Sequence, residues 1–112
     1  MHRPRVSIII CTRNRADSLR ETLASIGQCV VPTDLTAELL VVDNGSSDDT
    51  RRVVDEATLR NMPVTWVWEH RAGQCFARNT GIEQARGQVI LFTDDDVRVP
   101  LDWIERMCRP IA

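Results

Sequence analysis

The chain has 112 residues, of which 43% are hydrophobic and 27% charged, with a net charge of −2. That length suits a single domain with a sizeable core, and the charge excludes a general nucleic-acid binder, which carries a basic surplus. All 14 basic residues are arginine, which excludes chemistry built on a Schiff-base or phosphate-binding lysine.

The first segment, "RVSIIICT", is a continuous β-branched run and predicts a strand covered on both faces. In "RNRADSLRETLASIGQ", Ser18 and Glu21 fit a capping box. Leu19, Leu23 and Ile26 fall on one helical face there, and Gly27 is the expected stop. The plan then repeats. Residues 38–42 predict a buried strand and "DNGSS" a turn, with Ser47 or Asp48 capping a helix over about residues 49–60. Acids in that helix's first turn would suit its macrodipole. "VTWVWE" predicts a third strand with Trp66 and Trp68 on one face, both expected in the core. "GQCFARNTGIEQARG" predicts a helix ending at Gly87, "QVILFT" a fourth strand, and Pro100 opens a last helix aligning Leu101, Ile104 and Met107 or Cys108.

Strands alternating with helices argue for an α/β fold, an open, mainly parallel Rossmann-like sheet with helices on both faces. No repeat, linker or low-complexity segment interrupts residues 1–112. Cys11, Cys29, Cys75 and Cys108 show no C-x-x-C spacing, so free thiols are expected rather than a zinc or redox site. No apolar run is long enough to span a membrane, and "MHRPR" has no signal-peptide core behind it. The expected location is the cytoplasm, including the periphery of the inner membrane face.

In such sheets, ligands bind outside the carboxyl ends of the strands. Four polar segments sit there: "CTRNR", "DNGSSDD", "EHRAG" and "TDDD". The last is the hardest to explain. Like charges ~4 Å apart repel by about 1 kcal/mol in water and roughly 4 near a protein surface. Asp94, Asp95 and Asp96 therefore form either a solvated turn or a place where something positive sits.

The pieces "VSIIICTRNR", "LLVVDNGSSDDT", "EHRAGQCFARNTGIEQARG" and "VILFTDDDVRVP" together resemble the N-terminal, nucleotide-binding half of a family 2 (GT-A fold) glycosyltransferase, in order, over about residues 5–103. The resemblance implies transfer of a sugar from a nucleotide diphosphate sugar donor to an acceptor hydroxyl, usually with a divalent metal, Mg²⁺ or Mn²⁺. "DDD" resembles the D-x-D motif, which would give Asp94 to the ribose or metal and Asp96 to the metal, with Asp95 as a further candidate ligand. Asp43 resembles the aspartate that hydrogen-bonds the nucleotide base; capping the turn at Gly45 is the alternative. Cys11, Thr12 and Arg13 hold the position that brackets base and ribose, although the family often has proline at Cys11 and an aromatic at Arg13. Arg78 resembles a nucleotide-steadying arginine, with a surface role as the alternative, and Arg71 with Gly73 matches a variant that reaches phosphate.

Rival folds fit poorly. A phosphoacceptor receiver domain needs acids after the first strand and a late lysine. Nucleotidyltransferase and dinucleotide-binding domains need glycine-rich loops that "CTRNRAD" lacks. In the resembled family the catalytic base and acceptor site lie further on. The expectation is therefore a domain truncated after the D-x-D motif, with its base beyond residue 112, or else a non-catalytic nucleotide-binding module. An uncovered strand edge or face would favour self-association.

Overall fold

In the computed structural model, which describes residues 4–109, strand and helix alternate throughout. The elements are β1 (Arg5–Thr12), α1 (Ala16–Gly27), β2 (Thr36–Asp43), α2 (Thr50–Glu56), β3 (Val64–Trp68), α3 (Gln74–Gln84), β4 (Val89–Thr93) and α4 (Trp103–Cys108). The strands form one parallel sheet in the order β3-β2-β1-β4. The expected open α/β sheet is observed.

The chain winds outward from β1 through β2 to β3, then returns to the far side of β1 as β4. That reversal opens a crevice between the loops after β1 and β4, the position where such sheets take ligands. Register sets Thr12, Asp43 and Trp68 level with one another at this edge.

The two faces are covered unequally. Ile8, Ile10, Leu39, Val41 and Leu91 pack against Leu19, Leu23 and Ile26 of α1, Val53 and Val54 of α2, and Ile104 and Cys108 of α4. On the other face, Ile9, Leu40 and Val42 meet a single helix, α3, through buried Ala77 and Gly81 among the described residues. There α3 lies close to the sheet: a Cβ on Gly81 would stand 2.7 Å from Ile9 Cγ2 and 3.2 Å from Val42 Cγ2. Glycine permits that approach.

Helix boundaries depart from the sequence reading. α1 begins at Ala16, before Ser18, whose hydroxyl only donates to Arg15 O at 3.3 Å. The cap comes from another loop, where Asp48 Oδ2 accepts the Ala16 N–H at 3.1 Å. α2 is shorter than expected and has no acid in its first turn, because it starts after Asp49. Asp48 does serve that helix, accepting the Thr50 N–H at 3.0 Å. α3 stops at Gln84 and α4 starts at Trp103; Phe76, Ile82, Leu101 and Met107 are exposed.

Candidate functional site

The acidic loop after β4 is met by the loop after β1. Asp95 is buried, and its Oδ2 accepts the hydroxyl of buried Thr12 at 2.8 Å. Arg15 Nη1 lies 3.8 Å from Asp95 Oδ1 and 3.5 Å from Asp96 Oδ2. The chain thus supplies its own cation to offset the carboxylate repulsion. Asp94 and Asp96 are exposed, and Asp94 makes no hydrogen bond or ion pair among the described residues. Among those residues no group of three or more His, Cys, Asp or Glu converges as a ready metal cage.

Asp43 ends β2 with 1% exposure. Its Oδ1 accepts the Ser46 N–H at 2.9 Å, and its Oδ2 accepts Trp66 Nε1–H at 3.2 Å. Gly45, at φ 82°, makes the turn between them. The capping role is therefore present, and each oxygen keeps a further lone pair. Asn14, at φ 53°, ties this turn to the first loop: its Oδ1 accepts the Ser47 N–H at 2.8 Å, and its own N–H donates to Ser46 Oγ at 2.8 Å.

A denser network joins β2 to the loop after β3. Buried Asn44 donates through Nδ2 to Glu69 O at 3.1 Å and Arg71 O at 2.7 Å, and accepts the Gly73 N–H at 3.1 Å. Its own N–H donates to Thr12 O at 2.9 Å. Glu69, 3% exposed, accepts Arg71 Nε at 3.0 Å and Nη2 at 2.9 Å, the Arg71 N–H at 2.8 Å, and the Thr80 hydroxyl. The Arg71 bonds, and then Thr80, hold the Glu69 carboxyl well below the usual carboxylate range.

Of the residues singled out in sequence, Cys11, Thr12 and Arg13 line one cleft of about 180 Å³ with Arg15, Asn44, Gln74 and Ala77. Burial pushes the Cys11 thiol up to about 11, despite the Arg78 cation nearby, so it stays protonated at neutral pH. The Arg78 guanidinium lies 4.3 Å over the Phe92 ring. Arg71 is forked onto Glu69 and stacked 4.6 Å over Phe76. The core expectation fails for Trp68, which is 46% exposed, while Trp66 is half-buried. Arg15, Asn44 and Glu69 were not singled out. Their segments were legible, but their partners come from other strands.

A family model for glycosyl transferase family 2 matches residues 7–112. The chain belongs to that family. Glycosyltransferase AglE of Haloferax volcanii is 35% identical over 104 residues, covering 92% of this chain and 34% of that protein. Among solved structures, a mannosyltransferase from Pyrobaculum calidifontis in complex with GDP-Man and Mn²⁺ is 34% identical with a TM-score of 0.79, covering 91% of this chain and 30% of that one. TarS of S. aureus in complex with UDP is 25% identical with a TM-score of 0.83, covering 96% of this chain and 32% of that one. The chain therefore spans about a third of the length of these relatives. The fold is the GT-A type. Among the described residues, no helix is long and apolar enough to cross a membrane.

Proposed function

We propose that this domain is the donor-binding part of a glycosyltransferase, which holds a nucleotide diphosphate sugar across the β1–β4 crevice for transfer to an acceptor hydroxyl. One observation carries the reading: the buried Thr12–Asp95 hydrogen bond, with Arg15 beside it, draws the first loop and the acidic loop to the switch point. Exposed Asp94 and Asp96 then flank the crevice with hard oxygen donors. A divalent cation there, Mg²⁺ or Mn²⁺, would neutralise the diphosphate. Such ions commonly take one or two carboxylates plus phosphate oxygens and do not need a cage of protein ligands. Asp94 and Asp96 fit that donor set, while Asp95, committed to Thr12, orients the loop. Titration calorimetry with UDP, GDP and TDP, each in Mn²⁺ and in EDTA, tests this. Binding in Mn²⁺ that disappears in EDTA is expected; equal affinity in both refutes the metal-dependent site.

Within this reading Asp43 selects the base through its remaining lone pairs, a charge-assisted bond worth about 1.5–3 kcal/mol. Asp43→Ala should therefore weaken UDP binding at least ~10-fold and leave pyrophosphate binding nearly unchanged. Equal loss for both ligands would leave Asp43 as only the cap for Ser46 and the partner of Trp66.

A further inference from the structure

Beside the crevice, on the outer side of Asp43, lies a cavity of about 500 Å³ lined by Asp43, Ser46, Asp48, Arg51, Trp66 and Trp68. It is within the size range of small-ligand sites. Trp66 and Trp68 are two residues apart on β3 and so share a face. α2 has only seven residues and leaves Trp68 46% exposed. The ring centroids are 5.8 Å apart and the planes tilted by 32°, so the indoles form one shallow wall. Arg51 lies 4.2 Å over the Trp66 ring and is balanced by Asp55 at 3.5 Å. The rim is fixed in advance. Asp43 holds Ser46 and Trp66, and Asp48 holds Ala16 and Thr50.

This lining selects a ligand class. The two carboxylates outnumber Arg51, which is itself paired, so the wall repels a diphosphate or other anion. An aromatic wall with polar groups at one border suits a ring that is apolar on one face and hydroxylated at its edge. A pyranose has that form: its C–H face lies on the exposed Trp68 indole, and its hydroxyls donate to Asp48 and accept from Arg51 and Ser46. We propose that the Trp66–Trp68 cavity binds an uncharged pyranose. This binding does not depend on the transferase function proposed above.

The three tryptophans allow a direct test by NMR of their indole N–H signals. The probes are methyl glucoside, galactoside, mannoside and N-acetylglucosaminide, each added with and without UDP and Mn²⁺. At least one glycoside should shift the Trp66 and Trp68 signals and not that of Trp103. Trp68→Ala should weaken that binding by about tenfold or more, Trp68→Phe should retain most of it, and neither should alter UDP affinity in Mn²⁺. The proposal is overturned if no glycoside shifts these signals, or if Trp68→Ala binds as well as the natural chain. Uridine or UDP displacing the glycoside would also overturn it, by assigning the cavity to the nucleotide. Glycoside binding without UDP binding would refute the transferase function and leave the platform standing; the converse would refute the platform alone.

Discussion

The two sides of the carboxyl edge treat their polar groups differently. On the β2–β3 side, Asp43, Asn44 and Glu69 are buried and every one is hydrogen-bonded within the protein. On the β1–β4 side, Asp95 is buried and bonded, but Asp94 and Asp96 face solvent, with Arg15 3.5 Å from Asp96. Buried polar groups are costly when unpaired and rigidifying when satisfied. The β2–β3 side is thus a fixed wall, and the β1–β4 side keeps acceptor capacity in reserve for something outside the chain. Stability should reside mainly in the first and ligand binding mainly in the second, and mutations can separate the two.

The largest effect on stability is expected at Asn44. Asn44→Ala leaves the Gly73 N–H and the carbonyls of Glu69 and Arg71 without their partner. An unsatisfied buried group costs about 1–3 kcal/mol. Allowing for water entry, urea denaturation should register a loss of about 3 kcal/mol. A loss below about 0.5 kcal/mol would mean that the wall is not rigid and that the contrast between the two sides is wrong.

Asp96→Ala should show the reverse. Side chains as exposed as Asp96 usually alter stability by within about 0.5 kcal/mol, and removing one of three neighbouring acids relieves repulsion. UDP affinity in Mn²⁺ should nevertheless fall by about tenfold, which corresponds to ~1.4 kcal/mol, with little change in EDTA. A variant that loses stability without losing metal-dependent affinity would move Asp96 to the structural side.

Much of this arrangement was legible in the sequence, and the gaps have a physical origin. Continuous β-branched runs such as "VSIII" and "LLVV" specify strands covered on both faces, so the strand–helix alternation and the polar strand ends could be read directly. The details that escaped depend on pairing between distant segments. Ser18 and Glu21 have a capping-box spacing, yet Asp48, 32 residues from Ala16, caps α1. Periodicity put Trp66 and Trp68 on one face, but only the short span of α2 decides that Trp68 stays uncovered. Asn44 reads as a turn residue until register aligns Asp43 with Trp68 and brings Glu69 within reach of its carboxamide.

Arg15 is the residue on which the contrast turns most finely, and its effects should be the smallest. It is 56% exposed and 3.5–3.8 Å from two carboxylates. Exposed ion pairs contribute about 0–1 kcal/mol, so Arg15→Ala should barely shift the urea midpoint. Binding should separate its two roles. A cation this close to Asp95 and Asp96 competes with a metal for them, and unit charges ~4 Å apart interact by about 1 kcal/mol in water. Without nucleotide, Mn²⁺ affinity should therefore rise by about fivefold in the variant. Arg15 also lines the cleft with Cys11, Thr12 and Arg13, where its charge would attract a diphosphate. UDP affinity in Mn²⁺ should then fall by a similar factor. Opposite signs for metal alone and for metal with UDP would identify Arg15 as a placeholder that gives up the carboxylates to the metal and turns to the phosphate. If neither affinity changes, Arg15 is an ordinary surface arginine, and the acidic loop is screened by solvent alone.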